Sequence, residues 1–399
     1  MNRKQFISQL GTIGAAALAA PVTGNTSLLA AASSQAQMPV VGNGGKIRVG
    51  VIGCGSVSGM YLPHLATCPY AEVVSLCDRI PERAQEAARK YNVKNWYPHI
   101  DKMLAGVAFD LFVNLTDMQE HGRLNRQALI AKRHVWSEKP MANTYAEGRE
   151  LYELAKKQGV RFWGAPAVVN SPQFAFMAKQ INENKLGRIA AAHAHYGHQG
   201  PDWSAFFFEE GGGSLPDLGV YNISTLTGLV GPVKSLVAIT TIVNPTRNTG
   251  NKGYIRVVAE DNAMLVMEHQ NNVLSHIQCG FNYFDPYGHE GTGQERPTLS
   301  VVGSAGNMHM VGYDWKPSGV DMATTDDEKT HRYATGKGTF VWEEGASVIC
   351  QCLATGKEPL INAEHALHVL EIIEAARLSQ AQGKRISLKS SFKWPVIAL

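Results

Sequence analysis

Residues Val49 to Gly59 constrain the chain more than any other stretch, because an apolar run there breaks abruptly into glycines. From Lys46 the sequence alternates and then turns continuously apolar up to Gly53, as expected of a parallel strand buried on both faces. Gly53-x-Gly55 gives a tight turn through Ser56 and Val57 and lets backbone approach a pyrophosphate. The helix that follows offers its N-terminal amides to the phosphates. Ser58 stands in the usual third-glycine position, with Gly59 beside it. This N-terminal region therefore reads as a doubly wound α/β sheet with a dinucleotide laid across its carboxyl edge.

The next elements fit that reading. A second strand, Glu72 to Cys77, ends in Asp78, placed where a carboxylate grips ribose hydroxyls. A capping role for the helix containing Pro81 is also open to it. Asp78 would repel a 2′-phosphate and so favours NAD, while Arg79 leaves NADP open. The strand Asp110 to Thr116 brings Thr116, and His121 after it, to the side facing the nicotinamide. The strand His134 to Ser137 then runs into Glu138-Lys139-Pro140. A lysine at a buried strand end is unusual unless it is paired or functional.

A helix from Leu151 to Gln158 and a strand from Arg161 to Gly164 close this domain, residues 46–165. Beyond Gly187 the period changes to two. Ser235 to Val243, Ala263 to Gln270, Val273 to Phe281 and Thr298 to Val302 predict an open, mostly antiparallel sheet in an α+β domain, residues 166–399. One face is expected to carry helices, the last spanning about Asn362 to Gln380. Within this domain Gly211-Gly212-Gly213 leads to Ser214, Asp217 and Tyr221. Ser214 and Asp217 form a capping-box pattern, and Pro216 belongs in a first helical turn. Asp217 and Tyr221, four apart, share one helix face. His193-x-His195-x-x-His198 suggests imidazole ligands, but no cysteine or acid at metal spacing completes the set, so no metal is assigned. His195, His198 and Trp203 read instead as substrate contacts, Trp203 with Phe206 to Phe208 forming either a sugar platform or a packed cluster.

The Gly-x-Gly-x-x-Ser turn, Cys77-Asp78 with Glu82-Arg83-Ala84, and Glu138-Lys139-Pro140 together resemble the glucose–fructose oxidoreductase / inositol dehydrogenase (Gfo/Idh/MocA) family, over nearly all of the chain after residue 45. The resemblance implies that Lys139 contacts both the nicotinamide ribose and the substrate hydroxyl. It also puts Tyr221 where most members carry a catalytic histidine, similar to the glucose–fructose oxidoreductase branch. The segment Ala167 to Pro172 lacks the arginine that members often carry there. The expected chemistry is proton loss from a sugar or polyol hydroxyl to Tyr221, with Lys139 lowering the phenol pKa and Asp217 orienting substrate or holding Lys139 charged. An NAD-dependent glycoside hydrolase or lyase, working by transient oxidation, uses the same residues. A catalytically silent member would have lost Lys139 or Tyr221.

Composition narrows the partners. Net charge of +3, without a basic cluster interleaved with aromatics, gives no case for nucleic acid. No apolar run of about 18 residues predicts a membrane span. Six cysteines at these spacings do not form a disulfide framework. Residues 1–36 read as a targeting segment: Arg3-Lys4, a weakly apolar run from Leu10 to Ala20, and small residues at Ala30 to Ser34, with 37–45 as linker. The order is similar to a twin-arginine signal, with lysine in the second arginine position. A periplasmic protein meets no free NAD pool, so a tightly held cofactor is expected. The family resemblance also implies a homo-oligomer, dimer or tetramer.

Overall fold

Six short apolar strands form the first sheet. In the computed structural model, which describes residues 45–288, 293, 295–335 and 340–397, they are β1 (Ile47–Ile52), β2 (Ala71–Cys77), β3 (Asn95–Tyr97), β4 (Leu111–Asn114), β5 (His134–Ser137) and β6 (Phe162–Gly164). They pair in parallel in the order β3-β2-β1-β4-β5-β6. β4 and β5 are buried at every position, and β1 at all but one. That is why these segments read as unbroken apolar runs and not as alternating ones. Helices α1 (Ser58–Thr67), α2 (Pro81–Lys90), α3 (Ile100–Ala105), α4 (His121–Ile130) and α5 (Tyr145–Gln158) connect the strands. The strand order reverses between β1 and β4, and the crevice beyond their carboxyl ends is where a dinucleotide binds in this topology. The segment read as an export signal, and most of the linker after it, lie outside the described residues.

After α6 (Pro172–Asn182) the chain builds a second, larger sheet. Its strands are β7 (Ile189–Gly197), β8 (Val233–Thr241), β11 (Asn262–His269), β12 (Leu274–Gly280), β13 (Pro297–Gly303), β14 (Gly306–Tyr313), β15 (Lys316–Thr324), β16 (Asp327–Tyr333) and β17 (Ile386–Ser387). A separate hairpin joins β9 (Thr246–Thr249) and β10 (Gly253–Arg256). The order is β16-β15-β14-β13-β7-β12-β11-β8-β17, antiparallel except between β7 and β12. α7 (Val220–Val230), buried at every residue, and α9 (Ala363–Gln382) cover one face. Asn362 caps α9 by accepting from the His365 amide.

One hydrophobic cluster runs through both sheets, joining Val49, Trp136 and Trp163 to Phe174, Leu226 and Ile277. α8 (Gly345–Thr355) returns from the second domain and packs on α1, β1, β2 and β5. Among the described residues no helix is long and apolar enough to cross a membrane.

Candidate active site

The turn after β1 is shaped by one backbone requirement. Gly53 has φ of +89°, and a Cβ there would sit 2.6 Å from the Leu115 carbonyl carbon and oxygen, so no side chain fits between β1 and β4. Ser58 fastens the turn by donating from Oγ to the Gly55 carbonyl at 2.6 Å. The N-terminus of α1 has no side-chain cap and no acid in its first turn to repel an anion, although the Gly59 and Met60 amides turn back onto the Ser56 and Val57 carbonyls. Ser56 is exposed beside them and Val57 is half-buried. Asp78 is buried at the end of β2, where its two oxygens accept from the Cys54 and Ile80 amides, both at 2.8 Å. The carboxylate is thereby held against the glycine turn, with its other lone pairs still able to accept from ribose hydroxyls. A bare glycine approach, a helix N-terminus free of acids and an anchored carboxylate together fit a dinucleotide. Arg79 is exposed and lies 3.9 Å from Asp117.

Several residues that carry this edge were not evident from the sequence. Asn114, at the end of β4, receives the Thr116 hydroxyl at 2.7 Å and donates to Asn125 at 2.9 Å. Asn125 in turn donates to Ser137 and to the Met141 carbonyl. His121, expected beside the nicotinamide, has Nδ1 2.7 Å from the Pro140 carbonyl and Nε2 2.9 Å from that of Thr116. Both ring nitrogens are thus committed to backbone, and His121 ties the end of β4 to the Lys139-Pro140 segment. Burial pushes its imidazole pKa down while the two carbonyls oppose the shift. Glu138 is equally committed. It accepts from the Tyr61 hydroxyl at 2.6 Å and from the Lys139 amide at 2.9 Å, and Trp136 donates to Tyr61 in turn. Tyr61 lies 77 positions away in the chain, too far for any local pattern to reveal it.

The reacting end forms where the two domains meet. Lys139 donates from Nζ to Asp217 Oδ1 at 2.7 Å and to the Asp217 carbonyl at 2.9 Å. The two side chains are only 12% and 11% exposed. The same ammonium stands 5.2 Å from the centroid of the Tyr221 ring. Leu215–Gly219 forms one π-helical turn that runs straight into α7, and turn and helix together present Asp217 and Tyr221 to a single lysine.

Two expectations are corrected here. The Tyr221 pKa is not brought down beside Lys139: burial, then the Glu138 and Asp217 carboxylates, push the phenol well above its ordinary range. Two of the ammonium's N–H groups go to Asp217, and the ammonium stands over the Tyr221 ring. Ser214 also forms no cap. Its side chain makes no capping bond, and the Asp217 amide it would have met donates to the Gly213 carbonyl at 3.3 Å.

Of the expected substrate contacts, His195 is not brought to the site. Alternation along β7 turns Ala194 and Tyr196 inward and His193 and His195 outward, and Tyr196 is the residue beside Tyr221, at a ring separation of 6.4 Å. On the outer face His193 instead meets His276, Nδ1 to Nδ1, at 2.8 Å. His198 lies on the inner side, buried, with its ring 5.8 Å from that of Tyr196. Trp203 is 48% exposed and packs edge-on against Phe206 and Phe207. Among the described residues no metal-capable group of three His, Cys, Asp or Glu side chains occurs.

A six-stranded 3-2-1-4-5-6 sheet with this turn, joined to a lysine–carboxylate pair at its edge, defines a nicotinamide-dinucleotide oxidoreductase. Residues 47–165 match the oxidoreductase family with an NAD-binding Rossmann fold, and residues 174–309 match the GFO/IDH/MocA C-terminal domain. The chain belongs to the Gfo/Idh/MocA family. It is 24% identical over 364 residues to the D-apiose dehydrogenase of Paraburkholderia graminis, covering 86% of this chain and 90% of that one. It is likewise 24% identical to the trans-1,2-dihydrobenzene-1,2-diol dehydrogenase of Bos taurus, covering 83% and 96% of the two chains. In fold it is similar to levoglucosan dehydrogenase in complex with NADH and levoglucosan, with a TM-score of 0.74 at 20% identity over 86% of this chain and 99% of that one.

Proposed function

We propose that the protein oxidises a hydroxyl group of a sugar or sugar derivative with NAD. The observation that carries this reading is the Lys139–Asp217 pair, seated between the edge of the nucleotide sheet and the Tyr221 ring. Bound NAD supplies the hydride acceptor. Lys139 gives two N–H groups to Asp217 and keeps a third for the substrate oxygen. Asp217 takes the hydroxyl proton, since its described side-chain bond falls on Oδ1 and leaves Oδ2 as an acceptor. Tyr221 acts as a neutral phenol that holds the same oxygen by hydrogen bonding. Asp78 selects NAD over NADP by repelling a 2′-phosphate.

The sugar assignment draws on relatives named as D-apiose and D-xylose dehydrogenases. Hydrolysis by transient oxidation uses the same residues but has no counterpart among these relatives. Arg3-Lys4 and the run after it direct export, and the cofactor is retained through many turnovers in the periplasm. The uncovered sheet face, which exposes Val237, Ile239, Met264, Val266 and Leu274, pairs with a second copy. Strands about 4.8 Å apart and about 23 Å long give that face on the order of 900 Å², close to the roughly 800 Å² per partner of a stable interface.

The test is an absorbance scan of the mature protein with NAD and a panel of sugars and glycosides. Growth at 340 nm on a free sugar supports the reading. Release of aglycone from a glycoside with no lasting 340 nm change overturns it.

A further inference from the structure

The turn that carries Asp217 and leads into the helix bearing Tyr221 is held from behind by groups outside the reacting set. Gly213 has φ of +118°, and a Cβ there would lie 2.3 Å from Glu260 Oε1, so the glycine exists to let a carboxylate lie against backbone. Glu260 precedes β11, and its side chain is 9% exposed. Its carbonyl accepts from the Ser214 amide at 2.9 Å, and its Oε1 lies 3.3 Å from the Leu215 amide. Arg377, on α9, donates from Nη2 to the Gly212 carbonyl at 2.5 Å and stands 3.4 Å from Glu260 Oε1. Arg377 and Glu260 thus grip the backbone of residues 212–215 from both directions, one turn ahead of Asp217. The first amides of a helix have no partner of their own, and here a residue 45 positions away meets one of them.

We propose that Glu260 and Arg377 are positioning residues that fix the π-helical turn so that Asp217 meets Lys139 and Tyr221 stands over the same ammonium. Neither touches the reacting atoms. They act through the backbone of Gly212, Ser214 and Leu215. The inference rests on the function proposed above, because the geometry it protects is the Lys139–Asp217 pair.

Steady-state kinetics and amide hydrogen exchange on the full chain test it. Glu260→Ala is expected to lower kcat about 30- to 100-fold, the order seen when a reacting group shifts by roughly an ångström, with KM for NAD within about twofold of wild type. Glu260→Gln keeps an oxygen at the Leu215 amide and is expected to restore kcat to within about fivefold. Exchange of the amides of residues 213–221 is expected to accelerate about tenfold in Glu260→Ala, while that of the β1 amides stays unchanged. Wild-type kcat in Glu260→Ala, equal loss in the alanine and glutamine variants, or unchanged exchange would each overturn the proposal. If Glu260→Ala does not fold, Arg377→Ala carries the same readings, with the same results expected and the same ones fatal. A wild-type protein that binds NADH but oxidises no sugar would bring down the proposed function, and the exchange experiment would still decide whether the clamp holds the turn.

Discussion

The two sheets obey the same backbone rules but differ in how they face water. In the first, helices cover both faces and the central strands are buried at nearly every position. In the second, inner residues such as Ala263, Leu265 and Met267 are buried, while Met264 and Val266 between them are half exposed. The first sheet spends its edge on a cofactor, and its polar residues at that edge are tied to one another. The second spends its covered face on α7, whose leading turn meets Lys139 from the other half. The division of labour is therefore uneven: one half binds, and the reacting pair exists only where both halves touch.

The strongest way to break that picture is Asp217→Asn. It removes the proposed proton acceptor, so kcat should fall about 10³-fold, roughly 4 kcal/mol, while NADH affinity stays within about threefold. A variant that loses both together would mean the halves do not divide binding from reaction.

Acid stability comes next. His269, His365 and His368 lie buried in the second half, with pKa values pushed down by burial to about 4, about 4 and about 3. Their folded pKa values lie below the unfolded one near 6.5, so the stability they contribute is present above about pH 6.5 and is lost as pH falls. Chemical denaturation between pH 7.5 and 4.5 should show a loss on the order of 3 kcal/mol or more. His368→Gln, which keeps an acceptor for the Val233 amide, should flatten that slope by about one proton.

Gly53→Ala attacks the binding half alone, because the added Cβ meets the Leu115 carbonyl at a positive φ. NADH affinity measured by fluorescence should drop about 30-fold, roughly 2 kcal/mol, with melting lowered as well. Tyr221→Phe removes one hydrogen bond to the substrate oxygen and should cost about tenfold in kcat. A loss as large as that of Asp217→Asn would return the proton to the phenol. The smallest effect on stability is expected from Val266→Lys on the bare face, within about 0.5 kcal/mol for the isolated chain. Sedimentation should nonetheless show the oligomer gone, and an unchanged mass would mean that face is not an interface.

Legibility in the sequence followed the same divide. Gly53, Asp78 and Lys139 sit in short runs whose meaning is local, so strand, turn and acid could be read in order. Four strands of the second sheet, β8, β11, β12 and β13, were also legible, within two residues at each end, because burial on one face imposes alternation, whereas β14 and β15 were not read. β16 was not, since every residue in it is exposed and leaves no apolar rhythm. His195 shows a subtler failure: period two groups it with His193, but nothing local says which face the helices cover. The Ser214–Asp217 cap pattern misled for a related reason, because Ser214 is itself helical and the Asp217 amide already donates to the Gly213 carbonyl. Tyr221 does stand beside Lys139, but its phenol is shifted up and not down. Proximity to a lysine says little when that lysine is already paired and two carboxylates stand near the phenol.

The return of Gly345–Thr355 onto β1, β2 and β5 also bears on timing. A chain emerging from the ribosome would finish the first sheet early but lack the helix that seals it until β7 to β16 have been made. The nucleotide half is thus stitched shut by a segment made after most of the second sheet. The fold closes like a clasp and not bead by bead, so a chain that stops short cannot complete its cofactor half.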